Sequence, residues 1–347
     1  MDNKRLKRLL IIKPSSLGDV IHAVPVASAL KAAVPGLVID WVVGKGYEQV
    51  LVGNKSVDRL IIFDRGMLNG GGRLGRLAGF VRELRREHYD AALDLQGLIR
   101  SALMALASRS ERRIGFANAR EGAALLYTDK TPVPDTGMHA VDRYLLTLRH
   151  FGVERGTADP VEFGINLTDE DEAQADSVLA GLGIKPGEKF AAIAPSARWA
   201  TKRWPASNFV LLANMLYKDK GMRSMFVGTS EDEDIMSDAK EGLLQQGSFA
   251  FGKTSIKGLA ALVRRAGILI TNDSGPMHIA VAVGTPVAAL FGPTDPVKTG
   301  PYGAAHGVIM ATDSCAPCFK RHCDTVSCME GLTVERVYDK VKDILGV

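Results

Sequence analysis

Short, almost unbroken apolar runs alternate with amphipathic stretches from the start of the chain: RLLIIK at 8–13, LVIDWVV near residue 40, RLIIF at 59–63 and AALDL at 91–95. Runs this short, bounded by polar turns, read as strands buried on both faces, and their alternation with helical stretches reads as βαβ units on a parallel sheet. The first run passes through PSSLGD into a helix expected to continue to Ala33, with a kink at Pro25, which lacks a backbone donor. After GINLTDEDEAQADSVLAGLGIKPGEK the pattern restarts, with FAAIA at 190–194, SMFVG at 224–228, GILIT at 267–271 and PVAALF at 286–291. The expected fold class is therefore α/β, with two Rossmann-like parallel-sheet domains facing a central cleft. Residues 1–170 make the first domain and 171–332 the second, and the helical spacing of apolar residues in 333–347 predicts a terminal helix that packs back towards the first. A length of 347 residues suits two cores.

Composition keeps the chain in the ordinary globular range, with 46% hydrophobic and 24% charged residues. The net charge of +4 is unevenly divided: residues 1–160 carry 24 Lys+Arg against 17 Asp+Glu, and residues 161–347 carry 19 against 22, so the halves are +7 and −3. A basic first half suits an anionic partner such as phosphate groups or a membrane surface, and scatter alone also produces such a difference. The apolar run at the N-terminus is shorter than the roughly 7 to 15 residues of a signal-peptide core, and no apolar stretch approaches the roughly 18 residues of a membrane span. The expectation is a cytoplasmic protein whose membrane contact is peripheral.

Ligands of open α/β sheets bind beyond the carboxyl ends of the strands, so the chemistry is sought in the loops that follow them. In the first such loop, Lys13, Ser15, Ser16, Gly18 and Asp19 precede the helix. Asp19 is a candidate general base for an acceptor hydroxyl, or with Ser16 a plain helix cap. Lys13 is either a phosphate contact or a solvated charge, and His22 is structural. In TNDSGPMHIA, Asp273, Ser274, Gly275, Pro276, Met277 and His278 stand where a strand gives way to a helix N-terminus, which favours a pyrophosphate. Asp273 as an N-cap and His278 as a core histidine are the plainer readings. The loop APSARWATKRWP offers Ser196, Thr201 and Lys202, of which Lys202 is the choice to neutralise a departing diphosphate, against a solvated lysine. In VGTSEDED, Glu231 or Asp232 can take ribose hydroxyls or simply favour a helix start. The run Asp232-Glu233-Asp234 is a weak match to an Asp-x-Asp metal motif.

GGGRLG at 70–75 matches a dinucleotide fingerprint, but DRGMLN separates it from the preceding strand, so a flexible loop is expected, with Arg65, Arg73 and Arg76 beside it for an anionic acceptor. An oxidoreductase is disfavoured for the same reason. All four cysteines, Cys315, Cys318, Cys323 and Cys328, lie in CAPCFKRHCDTVSC, where they can close a structural zinc site, pair as disulfides or stay free.

Taken together, LLIIKPSSLGDVIHAVP, DLQGLIRSA, AREGAALLY, PSARWATKRWP, TNDSGPMHIA and LFGPTDP resemble the bacterial lipopolysaccharide heptosyltransferases, heptosyltransferase I most closely. The resemblance implies a GT-B fold and inverting transfer of L-glycero-D-manno-heptose from ADP-heptose to a 3-deoxy-octulosonic acid of the lipid A inner core, at the inner leaflet of the cytoplasmic membrane, with no metal required and no nucleic-acid partner. It implies Asp19 as the base, Lys202 as a diphosphate contact, Asp273, Ser274, Gly275 and His278 as the donor loop, and Arg120 and Arg143 as residues facing the anionic acceptor. The ARWAT segment departs from relatives with small hydroxyl residues there, which leaves the contacts of Ser196 and Thr201 open. A sister transferase adding a second heptose or another sugar, and a non-catalytic nucleotide-binding module, are the alternatives.

Overall fold

A computed structural model of the chain describes residues 6–135, 137–155, 159–244 and 249–346. The fold divides into two compact units, Met1–Asn166 and Leu167–Val347.

The first unit is a six-stranded sheet of β1 (Arg8–Ile12), β2 (Val38–Gly44), β3 (Arg59–Phe63), β4 (Ala91–Asp94), β5 (Arg112–Phe116) and β6 (Asp129–Thr131). The spatial order is β3-β2-β1-β4-β5-β6 and all the pairings are parallel. Leu9 to Ile12 and Ala91 to Leu93 are wholly buried. That is why these strands are continuously apolar and do not alternate: helices cover both faces of the sheet. The strand order reverses between β1 and β4, and this switch point opens a crevice at their carboxyl ends. Charge at the opposite ends of the strands is structural. Asp40, 1% exposed, is held there by Arg8, Arg59 and the Tyr89 hydroxyl at 3.2, 2.8 and 2.8 Å.

The second unit is a five-stranded sheet of β7 (Phe190–Ala194), β8 (Arg223–Phe226), β9 (Ile268–Asn272), β10 (Val287–Phe291) and β11 (Gly307–Met310). Its order is β11-β10-β9-β7-β8, again parallel, with the reversal between β7 and β9. Each unit is thus a doubly wound Rossmann-like sheet, the kind of domain from which GT-B enzymes are built.

The terminal helix Val334–Leu345 packs within the second unit. Its apolar face, Val334, Val337, Tyr338 and Val341, belongs to the core of the second unit beside Leu212, Leu216 and Leu290. It packs on the helix Ala206–Lys220 and on β10 and β11. The helix Leu17–Ala33 runs without a break through Pro25. Among the described residues no helix is long and apolar enough to cross a membrane.

Candidate active site

In the first unit the switch point is occupied by the loop that follows β1. Asp19 is the third residue of the helix Leu17–Ala33, and its Oδ2 accepts the Ser16 backbone N–H at 3.0 Å and the Ser16 hydroxyl at 2.8 Å. This is a capping box, so the plain reading of Ser16 and Asp19 holds. It accounts for only one of the two carboxylate oxygens. Oδ1 accepts the Tyr144 hydroxyl at 3.0 Å and lies 3.5 Å from Lys13 Nζ. Lys13 is 2% exposed, which rules out a solvated charge, and its ammonium sits 5.0 Å from the centre of the Tyr144 ring. Burial pushes the Asp19 carboxyl up, but the Lys13 charge, the Ser16 backbone and side chain and His22 outweigh it, holding Asp19 well below the usual carboxylate range. Burial lowers the Lys13 amine, against the opposing pull of Asp19 and Asp94. Asp19 is half-buried and therefore stands ionised at the loop surface, braced on three sides.

Neighbouring groups complete a basic rim. Ser15 donates its backbone N–H to Gln96 Oε1 at 3.2 Å, which ties the β1 loop to the β4 loop, and receives Arg65 Nη2 on its hydroxyl at 3.0 Å. Arg143 lies over the Phe116 ring at 4.4 Å and donates to Asn118 Oδ1 at 3.1 Å, and its charge acts on both Lys13 and Tyr144. Arg120 is exposed in the loop after β5, where its backbone N–H bonds to the Gly97 carbonyl at 2.9 Å. Gly18 is buried within the first turn of the helix Leu17–Ala33. His22 is buried with its ring 5.1 Å from that of His139, as a structural residue should be.

The loops at the second unit's switch point converge through one ion pair. Lys202 Nζ lies 2.6 Å from Asp273 Oδ2, and Thr294 donates to the same oxygen at 2.8 Å. Lys202 is also 4.5 Å from the centre of the Trp199 ring, which Arg321 approaches at 4.9 Å. Asn272 joins the loops again, accepting the Trp204 backbone N–H at 3.1 Å and donating to the Pro195 carbonyl at 2.7 Å. The N-cap of the helix Gly275–Ala282 is Ser274, not Asp273, and the Ser274 side chain makes no capping bond. Ser196, Ser274, Gly275 and Pro276 are half-buried, and the first-turn N–H groups stand where an anion is favoured.

Several expected contacts are already engaged. Met277 is 0% exposed in the core and has no surface to offer a ligand, and His278 is buried as well. Thr201 is buried and donates to the Lys320 carbonyl at 2.9 Å. Asp232 accepts the Thr229 backbone N–H at 2.8 Å and its hydroxyl at 3.0 Å, so it caps its own helix, while Glu231 is exposed. GGGRLG is not a free loop either: Gly72 is the left-handed N-cap of the helix Arg73–Leu84, and Arg76 donates to the Gly71 and Asn69 carbonyls at 2.9 and 2.6 Å.

The four cysteines are free thiols, with Cys315 and Cys323 exposed and Cys328 buried. Backbone N–H groups of Thr325 and Val326 lower the Cys323 thiol, whereas burial raises Cys328. Among the described residues, no group of three or more His, Cys, Asp or Glu side chains is placed to hold a metal ion.

Sequence reasoning missed Tyr144, Gln96 and Thr294, which hold the site from other elements. Only DLQG, polar residues directly after a buried strand, gave a signal for Gln96.

Comparison with known proteins places these features in a family context. The model of glycosyltransferase family 9 (heptosyltransferase) matches residues 77–328. Lipopolysaccharide heptosyltransferase 1 of Escherichia coli K12 is 30% identical over 308 residues, covering 85% of this chain and 91% of that protein. The same-named protein of Pseudomonas aeruginosa is 29% identical over 323 residues, covering 91% and 87%. The solved structure of E. coli heptosyltransferase WaaC with ADP-2-deoxy-2-fluoro heptose matches with a TM-score of 0.77 at 26% identity, covering 97% of this chain and 99% of that one.

Proposed function

We propose that this chain, which belongs to glycosyltransferase family 9, the heptosyltransferases, transfers L-glycero-D-manno-heptose from ADP-heptose to a 3-deoxy-octulosonic acid residue of the lipid A inner core. The observation that carries the reading is Asp19, an ionised carboxylate fixed by Ser16, Tyr144 and Lys13 at the switch point of the first sheet. Asp19 takes the proton from the acceptor hydroxyl as that oxygen attacks the anomeric carbon and ADP departs, so configuration inverts. The contacts that keep Asp19 ionised also limit its basicity. Proton transfer therefore runs late, when bond formation has made the attacking oxygen acidic.

Lys202, held by Asp273, stabilises the charge that develops on the leaving diphosphate, and the N–H groups of Ser274 and Gly275 add donors at a helix N-terminus. Arg65, Arg120 and Arg143 supply positive charge for the acidic acceptor. The transfer runs without a metal cofactor, since Lys202 supplies the charge that a cation provides elsewhere. The lipid-anchored acceptor brings the enzyme to the inner face of the cytoplasmic membrane as a peripheral protein.

The direct test is a donor screen against inner-core acceptors of defined length, in excess EDTA, with products read by mass spectrometry. A heptose added from ADP-heptose to an acceptor ending in 3-deoxy-octulosonic acid is the expected result. Transfer only to an acceptor that already carries one heptose assigns the chain to the second step instead, and no transfer from any donor refutes the reading.

A further inference from the structure

The first unit carries an apolar surface that neither the sheet nor the candidate site uses. In the helix Ile99–Ala107, Ser101, Ala102, Met104 and Ala105 face the core. Ile99, Leu103 and Leu106 follow at i, i+4 and i+7, which puts them together on the opposite face. Leu103 is 50% and Leu106 44% exposed. A surface helix is ordinarily apolar on one side only, so a second apolar face marks something that covers it.

Two adjoining elements extend the stripe. The helix Arg73–Leu84 contacts it, anchored by Phe80 and Leu84, and leaves Leu74 76% and Leu77 40% exposed. Arg85 Nε donates to the Ala107 carbonyl at 2.9 Å and joins the ends of the two helices. The turn Ala123–Leu126 also packs on the helix and leaves Leu125 84% exposed. Exposed large apolar side chains on three elements in contact are more than the scatter of single exposed residues on an ordinary surface.

Charge selects the partner. Residues 73–126 contain ten arginines and six carboxylates, a net +4. Four of those carboxylates are engaged inside the fold: Asp94 is buried, Asp90 accepts backbone N–H groups of Lys7 and Arg8, Glu83 pairs with Arg59, and Glu87 pairs with Arg8. Arg82, Arg85, Arg86, Arg100 and Arg109 are exposed. Outward leucines set among arginines match an anionic lipid surface, with apolar side chains at the acyl boundary and guanidinium groups among the phosphates.

We propose that the surface formed by Arg73–Leu84, Ile99–Ala107 and Ala123–Leu126 docks the enzyme on an anionic bilayer. The inference rests on the acceptor being lipid-anchored, and it adds how that acceptor is met. A cavity of about 180 Å³ is lined by Ile99, Arg100 and Met104 and by Ser15 and Arg65, and so connects the stripe to the loop of Asp19. An acceptor whose acyl chains stay in the bilayer then presents its sugar from the membrane side.

The test is co-flotation of the full chain with vesicles of phosphatidylethanolamine and phosphatidylglycerol, compared with phosphatidylcholine alone. The wild type is expected to float with the anionic vesicles roughly ten-fold better than with the neutral ones. Leu103→Ser/Leu106→Ser and, separately, Leu74→Ser/Leu125→Ser are expected to lose about ten-fold in flotation while keeping wild-type transfer to a deacylated, water-soluble inner-core acceptor. Arg82→Gln/Arg86→Gln is expected to lose the preference for anionic lipid. Undiminished flotation of both leucine variants, or equal flotation of the wild type on the two vesicle types, overturns the proposal. So does a wild-type dimer that the leucine variants break without any change in flotation, which assigns the surface to a second copy. Failure of the wild type to use the deacylated acceptor counts against the proposed activity alone, because flotation is read without it.

Discussion

Replacing Asp273 by Asn isolates the ion pair that organises the second unit. Asp273 Oδ2 meets Lys202 Nζ at 2.6 Å and the Thr294 hydroxyl at 2.8 Å, with the two charged side chains 8% and 16% exposed. The substitution keeps the shape and the Thr294 hydrogen bond but leaves an ammonium facing the Trp199 ring without its counter-charge. Breaking a buried pair from one side costs about 3–5 kcal/mol, and the partial exposure of Lys202 puts this one near the lower figure. For a unit of this size, about 3 kcal/mol lowers the thermal midpoint by roughly 6–12 °C, read in the transition of the second unit by calorimetry. Titration with ADP is expected to show at least about ten-fold weaker binding, since Lys202 is no longer aimed by its partner. Lys202→Met/Asp273→Asn is expected to recover part of the stability but none of the ADP affinity, because no unpaired charge remains and no diphosphate contact does either. An Asp273→Asn midpoint within about 2 °C of wild type, with unchanged ADP affinity, refutes the idea that Asp273 holds Lys202 for the diphosphate.

Four further outcomes follow from the same structure. Tyr144→Phe removes a hydrogen bond from a half-exposed carboxylate, so the acid limb of the kcat/KM profile is expected to move up by roughly one pH unit; an unmoved limb contradicts the contact. The sign is fixed by the direction of the Asp19 shift. A carboxyl held below its unfolded value stabilises the fold fully above that value and loses the contribution as pH falls through the folded one, so wild-type stability is not expected to change through Asp19 between pH 5 and 8. Alkylation with iodoacetamide, followed by mass spectrometry, is expected to label Cys323 first and Cys328 last, following exposure and the opposite directions of their shifts. Arg65→Ala is expected to raise the KM for acceptor with little change in ADP-heptose affinity, because its side chain reaches Ser15 in the first unit.

The buried strands were plain in the chain because their physics is local: RLIIF at 59–63 and FAAIA at 190–194 fall on β3 and β7 residue for residue. β5, β6 and β11 went unread. Arg112 and Arg113 open β5, DKT makes β6, and Val308 of β11 is partly exposed, so none presents a continuous apolar run. Their places are set by pairing with a buried neighbour, which no short window contains. The site divides in the same way. Asp19 and Lys202 were visible as polar residues directly after apolar strands. Tyr144, 125 residues from Asp19, and Thr294, 21 from Asp273, are brought in by the fold. The terminal helix was legible from its apolar spacing, but its neighbours Leu212, Leu216 and Leu290 were not, because periodicity shows that a face is apolar without showing what it covers.

The central claim is that Asp19 takes the acceptor's proton. Its most direct test is single-turnover transfer by Asp19→Asn, with ADP-heptose affinity measured alongside. Asparagine keeps the size of the side chain but cannot accept the proton. The expected result is a loss of about 10²–10⁴ in turnover with donor affinity within a factor of about two. Turnover at the wild-type rate with a correctly folded variant would remove Asp19 from that role.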